Sequence, residues 1–152
     1  MSDVKYAEDL TVGELIELGS HTVTESELVE FAGRWDPQDF HVDRAAAEQG
    51  WFGGLIASGV HSMAVLQRLS VLGVYRHLSV IGGRGLRDVR FRRPVRPGDT
   101  LTGTMRIDEV VLDDRGRGLV TSTGQLLGSD GAVVFSVVTE AYVRRRPTPD
   151  AS

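Results

Sequence analysis

The feature that most constrains the fold is a long apolar segment in the middle of the chain, spanning residues 55–78. Apolar side chains fall on most sides of a helix drawn through it, so little continuous polar face remains. A helix of this kind is buried, and the rest of the chain must wrap around it. Its uninterrupted apolar runs are far shorter than the ~20 residues that cross a bilayer. We therefore predict a buried helix over residues 55–78, entered through Gly53 and Gly54.

In the second half of the chain, apolar and polar residues alternate, a pattern that is typical of half-buried β-strands. Leu86, Val89 and Phe91 are interleaved with arginines, and a turn follows at residues 94–99. Three further runs of β-favouring residues are separated by turns rich in Asp and Gly, and they cover residues 101–111, 119–127 and 132–143. The pattern predicts a meander of four antiparallel strands after the helix.

Upstream of the long helix, the sequence predicts one strand, a short amphipathic helix and one or two helical turns over residues 44–49, closed by Gly50. Residues 14–24 carry β-favouring side chains, and Thr24 followed three positions later by Glu27 is a capping box that starts a helix. This short helix should stop near Trp35, because Pro37 restricts the residue before it to an extended geometry.

Together these elements predict an α+β domain in which a long central helix is wrapped by an antiparallel β-sheet. One sheet covers only one side of a helix that is apolar all round, and an open sheet leaves an unpaired edge. A second copy of the chain would hide both surfaces most simply, so we expect at least a dimer. Residues 1–143 should form this single domain, and the charged, proline-containing residues 144–152 a flexible tail.

Composition and charge narrow the possible functions. The 152 residues contain no cysteine, which excludes disulfides, a thiolate nucleophile and zinc–thiolate sites. The net charge of −4 and a pI near 5.5 argue against nucleic-acid binding. The start of the sequence has no basic-then-apolar signal pattern, and no segment predicts membrane insertion, so we expect a soluble cytoplasmic protein.

One of the four histidines stands in a predicted polar loop that is rich in carboxylates. His41 lies within residues 36–43 together with Asp36, Asp39 and Asp43. A carboxylate and an imidazole that converge on one water form an acid–base pair, for which a histidine titrating near neutrality is suited. Two other interpretations stay open at this point: a metal site, which needs three or four converging ligands, and a loop whose residues are only structural.

The remaining candidate groups have weaker patterns. His61 falls inside the buried helix, either as a core histidine or as a residue that lines a cavity at the helix start. Ser58 does not sit in a Gly-x-Ser-x-Gly elbow, which disfavours a serine nucleophile. Six arginines crowd residues 84–96, where they either face water or bind a small anionic ligand.

Residues 36–41, which read Asp-Pro-Gln-Asp-Phe-His, resemble the signature loop of the MaoC-like dehydratase family, which includes the (R)-specific enoyl-CoA hydratases. That loop reads Asp-x-Asn-Pro-apolar-His, and Asp36, Phe40 and His41 stand at the matching positions. Residues 53–58 and 86–101 also resemble stretches of the family, so the resemblance runs from about residue 10 to residue 143. It implies a hot dog fold assembled as a homodimer or a dimer of dimers.

Two positions in the loop depart from the family pattern. Gln38 stands where the family has asparagine, which keeps an amide but lengthens the side chain by one methylene. Asp39 stands where the family has proline, which removes a rigid turn and adds a charge. A carboxylate near Asp36 is expected to raise one of the two carboxyl pKa values.

The resemblance implies a hydratase or dehydratase that adds or removes water across a 2-enoyl/3-hydroxyacyl thioester. In such an enzyme Asp36 and His41 hold the water, with Asp36 the favoured base, and the N–H of Gly54 at the start of the long helix binds the thioester oxygen. Coenzyme A or a carrier-bound acyl group enters as part of the substrate, and neither a metal nor a separate cofactor is implied. Further substrate contacts are expected from Gln38, Phe40, Ser58, His61, Arg84 and Arg87.

Two alternatives differ in chemistry. A hot dog thioesterase directs water to the carbonyl carbon, but that branch does not use a loop with Asp and His five positions apart. A catalytically inactive subunit would bind the acyl thioester without turnover, and it could pair with a different hot dog chain. The residues at Gln38 and Asp39 keep this second alternative open.

Overall fold

Five antiparallel strands and one long helix form the framework in the computed structural model, which describes residues 3–149. In chain order the elements are β1 (Leu15–Thr22), α1 (Glu25–Trp35), α2 (Asp39–Val42), α3 (Arg44–Gln49), α4 (Gly59–Gly73), β2 (Val80–Phe91), β3 (Thr100–Leu112), β4 (Arg117–Leu127) and β5 (Val133–Arg144). Short 3₁₀ turns cover Ala7–Asp9 and Tyr75–His77. The helix and the sheet confirm the predicted α+β class.

The order of the strands differs from the predicted meander at one edge. β3, β4 and β5 are consecutive neighbours as predicted, but β2 pairs with β5, with Phe91 opposite Phe135 and Val80 opposite Val143. The four-strand meander was therefore wrong. Because β1 already pairs with the outer side of β3, β2 can hydrogen-bond only to the free edge of β5. The sheet order is β1-β3-β4-β5-β2, with β1 and β2 as its edges.

Helix α4 is shorter than the predicted helix of residues 55–78. It begins at Gly59 because the Ser58 side chain accepts a hydrogen bond from the Val60 N–H at 3.2 Å, which is an N-cap. It ends at Gly73, and residues 55–57 before it are buried but not helical. A short apolar run does not distinguish a buried non-helical segment from a helix, so the pattern overestimated the length.

The core lies between α4 and the sheet, and two glycines on the sheet allow the helix to pack closely against it. A Cβ added to Gly103 would lie 3.1 Å from the Leu69 side chain, and one added to Gly124 would lie 2.9 Å from the Leu66 side chain. Both leucines are about 95% buried, since their exposed fractions are 5% and 4%. The glycines on β3 and β4 therefore let α4 approach the sheet closely.

The segment before α4 carries the predicted short helix, α1, the predicted helical turns of residues 44–49, which form α3, and one further turn, α2. Thr24 caps α1 by accepting from the Glu27 N–H, and α1 ends at Trp35, which confirms both predicted limits. The polar loop predicted over residues 36–43 contains a one-turn helix, α2, so that part of the prediction was wrong. Phe40 in α2 packs against the core and supplies the apolar contact that makes this turn compact.

At the C-terminal end, the sheet continues to Arg144, the last residue of β5. Arg145 forms an ion pair with Glu8, and Arg146 pairs with Asp9, so both contact the N-terminal 3₁₀ turn. The flexible tail predicted from residue 144 stays a prediction, and residues 150–152 lie outside the described part. Within residues 3–149, no helix has the length and the apolar character that a membrane crossing requires.

Candidate active site

Asp36 and His41 come together at the junction of α1 and α2. Asp36 is the C-cap residue that follows the last residue of α1, and His41 lies in the single turn of α2. The His41 Nε2 is 3.3 Å from the Asp36 Oδ2. The His41 side chain is only 5% exposed and the Asp36 side chain 22%, so the pair is shielded but reachable. The spacing of five residues therefore does place a carboxylate beside an imidazole.

The orientation of His41 is set by a contact with the segment that precedes α4. Its Nδ1 lies 2.6 Å from the carbonyl oxygen of Ile56, and a carbonyl can only accept a hydrogen bond. The Nδ1 therefore carries the proton and donates it, which leaves a lone pair on the Nε2 of the neutral ring. That lone pair faces Asp36, so the two groups can both accept hydrogen bonds from one water placed between them.

Two side chains hold the Asp36 carboxylate from opposite sides. The Gln38 Nε2 donates to Oδ1 at 2.7 Å, and the Ser58 hydroxyl donates to Oδ2 at 2.7 Å. These hydrogen bonds, that from Gln38 first, lower the pKa of the Asp36 carboxyl below its ordinary value. Of the two neighbouring carboxyl groups, Asp36 and Asp39, one was expected to have a raised pKa, and this is not the case for Asp36. The longer amide of Gln38 instead reaches the carboxylate and stabilises its charge.

The N-terminus of α4 faces the same space through Gly59. Ser58 caps this helix, so the N–H of Gly59 belongs to the first turn, where backbone donors lack partners within the helix and the dipole is positive. A Cβ on Gly59 would lie 2.4 Å from a Phe91 ring carbon, so any larger residue requires that ring to move. Sequence reasoning missed Gly59, although the Ser-Gly pair at the true helix start was a usable signal.

Gly54 does not occupy the position expected of it. It lies five residues before α4, so it is not at the start of the helix, and it borders a separate cavity with Arg44 and Arg96. This displacement follows from the shorter helix. The prediction that Gly54 lies at the helix N-terminus was wrong, and Gly59 holds that place.

A cavity of about 510 Å³ opens beside the Asp36–His41 pair. Its polar wall is formed by Asp36, Gln38 and His41, and the Arg92 and Arg93 side chains also border it. The rest of its wall is mostly apolar. A second cavity of about 260 Å³ lies between α4 and the sheet, and Val60 borders both. The arrangement offers a polar reacting centre next to a mostly apolar space.

The other predicted contacts fall in different places. Phe40 packs edge-on against the His41 ring at 4.3 Å and supports it. His61 is buried away from the cavity, with its Nε2 2.9 Å from the Glu27 carboxylate. Arg84 and Arg87 both contact Glu140 on the neighbouring strand and do not border the cavity of the pair. Arg92 and Arg93, farther along the same stretch, are the arginines at the cavity.

Among residues 3–149, no group of three or more His, Asp or Glu side chains is arranged to hold a metal ion. The carboxylate and imidazole of the pair are bound by Gln38, Ser58 and a backbone carbonyl instead. Residues arranged in this way can act as an acid–base pair.

Comparison with known proteins identifies the class. A conserved hypothetical protein from Mycobacterium tuberculosis, described as having a double hotdog fold, superposes with a TM-score of 0.77 at 17% identity, over 100% of this chain and 48% of that one. The architecture is a hot dog fold. The sequence profile of the MaoC like domain matches residues 10–126, and the chain belongs to this MaoC-like family.

Two relatives support that membership. The crystal structure of a MaoC-like dehydratase from Rhodospirillum rubrum is 33% identical, with a TM-score of 0.82 over 95% of this chain and 99% of that one. The 3-hydroxyacyl-thioester dehydratase Z of Mycobacterium tuberculosis is 32% identical over 126 residues, which cover 81% of this chain and 82% of the relative.

Proposed function

We propose that the chain is a hydratase or dehydratase that interconverts a 2-enoyl thioester and a 3-hydroxyacyl thioester. The observation that carries this proposal is the Asp36–His41 pair, with an ionised carboxylate and an imidazole lone pair 3.3 Å apart at the wall of a cavity. The first turn of a helix borders the same cavity through Gly59. Addition of water to a conjugated thioester needs these parts: a base, a proton donor and a group that stabilises an enolate oxygen.

In the hydration direction, one water is held between the Asp36 carboxylate and the His41 Nε2. The water oxygen bonds to C3 of the enoyl group while one of its protons moves to the pair, and the C2–C3 π electrons shift toward the thioester oxygen. Because hydrogen bonds lower the pKa of Asp36, its carboxylate stays ionised, so it holds the water and stabilises the proton that the pair takes up. The proton then passes to C2, which completes the 3-hydroxyacyl product.

The N–H of Gly59 is the donor that fits the developing negative charge. It lies in the first turn of α4, where an anion is favoured by the helix dipole and by unpaired backbone N–H groups. Ser58 links this turn to the catalytic carboxylate, because the same hydroxyl donates to Asp36 and accepts from the Val60 N–H. The donor and the base are therefore held in one hydrogen-bonded unit.

An acyl-CoA or a carrier-bound acyl thioester suits the cavity. A thioester with a long apolar acyl group matches the mostly apolar wall and the second cavity beyond Val60. Arg92 and Arg93 at the wall offer cations for phosphate groups. Arg92 contacts the neutral Ser136 hydroxyl, whereas Arg93 is bound by Asp130, so Arg92 is the better candidate.

A homodimer is the assembly that the exposed surfaces favour. β2 is an edge strand, and its apolar side chains Ile81, Leu86 and Phe91 are 46%, 52% and 59% exposed. Val60 on the adjacent face of α4 is 52% exposed. A second copy pairing along β2 would cover this edge and this apolar surface together.

The test measures hydration of crotonyl-CoA through the loss of the enoyl absorbance. It compares wild type, Asp36→Asn, His41→Ala and the control Asp39→Asn. Asp36→Asn and His41→Ala should each lower kcat/KM by about 10²–10⁴-fold, which is the range of general acid–base catalysis. Asp39→Asn keeps the loop but removes a carboxylate outside the pair, so its activity should stay near that of wild type. Acyl-CoA binding without turnover by wild type would instead favour the inactive binding subunit.

A further inference from the structure

A second carboxylate–imidazole group lies outside the cavity, where β1, α1 and α4 meet. The Glu27 carboxylate contacts the Nε2 of His21 at 2.9 and 3.0 Å and the Nε2 of His61 at 2.9 Å. His21 lies on β1, Glu27 in the first turn of α1, and His61 in the first turn of α4. One carboxylate therefore ties three elements together.

Glu27 makes these contacts although its position suggests a different role. Thr24 and Glu27 form a capping-box sequence, in which the glutamate ordinarily reaches back to the N–H of the cap residue. The Thr24 half of the motif is formed, since its hydroxyl accepts from the Glu27 N–H at 3.2 Å. The Glu27 carboxylate instead reaches across to α4. Its hydrogen-bonding capacity serves a contact between helices.

The contact with His61 is reinforced by stacking. The His61 ring lies on the Phe31 ring with centroids 4.5 Å apart and planes 13° from parallel. Glu27 and Phe31 are four residues apart and so lie on one face of α1, where both meet His61. His61 is 4% exposed, which makes this the buried point at which α1 and α4 touch.

The two helices joined here carry the two halves of the candidate active site. Asp36 is the C-cap of α1, and α4 begins at Gly59 with Ser58 as its N-cap. His61 lies three residues after Ser58, within the same helical turn. A shift of α4 relative to α1 would change the 2.7 Å hydrogen bond from Ser58 to Asp36 and move Gly59 relative to the pair.

We propose that Glu27 is a positioning residue of the reaction, which acts through His61 to hold the first turn of α4, with Ser58 and Gly59, in register with Asp36. The inference rests on the proposed function for its kinetic consequence, but not for its structural one. Loss of the Glu27 carboxylate loosens the Ser58–Asp36 hydrogen bond, and the pKa of Asp36 then rises.

The experiment compares Glu27→Ala, Glu27→Gln and the matched control Glu30→Ala. Glu30 lies on the same helix, and its side chain is 70% exposed. It forms a surface ion pair with Arg34 at 3.9 Å. Glutamine can still accept a hydrogen bond from His61, so Glu27→Gln should restore most of what Glu27→Ala loses. The readouts are the Asp36 carboxyl pKa, by NMR of protein labelled with ¹³C-aspartate, the melting temperature, and kcat and KM on crotonyl-CoA.

We expect Glu27→Ala to raise the Asp36 pKa by about 0.5–1 unit as the hydrogen bond from Ser58 weakens. We also expect it to lower kcat by roughly 10-fold with little change in KM, because misplacement of catalytic groups by a fraction of an ångström affects the transition state most. Glu30→Ala should leave both quantities unchanged. If Glu27→Ala lowers only the melting temperature, the positioning role is overturned. If wild type does not turn over but the Asp36 pKa responds as expected, the proposed function fails and the positioning role stands.

Discussion

The chain contains two buried histidines, each beside a carboxylate, and the two pairs are built differently. In the Asp36–His41 pair, the Nδ1 of the imidazole is anchored to a backbone carbonyl, its Nε2 lies 3.3 Å from Asp36, and both residues border a cavity. In the Glu27–His61 pair, the Nε2 is directly bonded to the carboxylate, and within residues 3–149 the Nδ1 has no hydrogen-bond partner. The first pair lies at a cavity wall, where a water can reach it, whereas the Nδ1 of the second pair is buried away from that cavity.

Under the proposed function, only the Asp36–His41 pair can exchange a proton with a water, although both pairs place an imidazole beside a carboxylate. The contact distance is shorter in the structural pair, at 2.9 Å against 3.3 Å. What separates the two is the third contact. A carbonyl on Nδ1 sets the tautomer of His41 and keeps Nε2 free for proton transfer, whereas stacking on Phe31 fills the space around His61.

The largest effect that tests the comparison comes from the same substitution at both histidines. Glutamine can donate a hydrogen bond but cannot take up a proton. His41→Gln should therefore lower kcat by about 10²–10⁴-fold, the contribution of general acid–base catalysis. His61→Gln keeps a donor toward Glu27 and should lose less than about 10-fold. Steady-state hydration kinetics give the ratio of the two losses in kcat. The melting temperature of each variant is measured as well.

Equal losses at the two histidines would contradict the distinction between the pairs. Both variants are read at a temperature well below their melting transitions, so that differences in the folded fraction do not enter kcat. A second substrate with a longer acyl chain should preserve the ratio, because neither substitution acts through the acyl group.

The next largest effect distinguishes the two glycines considered for the oxyanion role. A methyl group on Gly59 lies beneath the Phe91 ring at the helix N-terminus, so Gly59→Ala should lower kcat/KM by about 10²-fold. On Gly54, the methyl would meet only a flexible arginine, with the Arg96 Nη1 3.4 Å away, and activity should change by less than roughly twofold. Crotonyl-CoA kinetics give both values.

The loss at Gly59 could also arise because the Phe91 ring is pushed aside. The double variant Gly59→Ala with Phe91→Leu separates the two causes, since the smaller side chain relieves the clash. If the methyl blocks the approach of the thioester oxygen, the double variant stays impaired. Recovery of activity would show that the displaced Phe91 ring causes the loss, and it would contradict the role of the Gly59 N–H as the oxyanion donor.

What the sequence could predict depended on how local each signal was. The Thr24 cap, the end of α1 before Pro37 and the spacing from Asp36 to His41 are all encoded within a few residues, and the structure confirms that they lie as predicted. Gly59 was missed because the apolar pattern runs through residues 55–57 without marking the change from a buried non-helical segment to helix. Local periodicity cannot report that boundary.

Contacts between segments that are far apart in the chain could not be predicted from the sequence, because local patterns do not encode them. Glu27 meets His61 across 34 residues, and a capping box was the stronger local interpretation of Glu27. Arg84 and Arg87 stand in the same arginine-rich stretch as Arg92, and only the strand pairing decides which of them reaches the cavity. Strand order follows from long-range pairing, which composition and alternation do not encode.

A smaller effect concerns the two donors that keep Asp36 ionised. Gln38 makes the largest contribution to the lowered pKa of Asp36, and Ser58 the next. Gln38→Ala and Ser58→Ala should each raise that pKa, so the acidic limb of the kcat/KM–pH profile should move to higher pH, more so for Gln38→Ala. The loss of activity at neutral pH should be roughly 2- to 10-fold. A profile that does not move would show that Asp36 does not control the acidic limb.

The smallest effect is a dependence of stability on pH that belongs to the Glu27–His61 pair alone. Burial lowers the pKa of His61 below its ordinary value of 6.5, although Glu27 opposes this shift. The unfolded chain therefore binds more protons than the folded chain as the pH falls below 6.5, and the stability contributed by neutral His61 is lost through that window. His21 and Glu27 are the titratable groups that face it. Protonation would also place an N–H at a buried Nδ1 that has no acceptor among the described residues.

His61→Phe keeps the ring stacked on Phe31 but cannot be protonated, so its melting temperature should change less between pH 6.5 and pH 5 than that of wild type. The difference should be roughly 2–4 °C. The exposed His77→Gln is the matched control, because it removes a histidine without removing a buried one. The window stays above the range in which Asp36 titrates, since the stability contributed by the lowered pKa of Asp36 is lost only at more acidic pH. If His61→Phe and His77→Gln follow wild type equally, His61 is not the acid-sensitive group, and the contrast between the two pairs rests on their contacts alone.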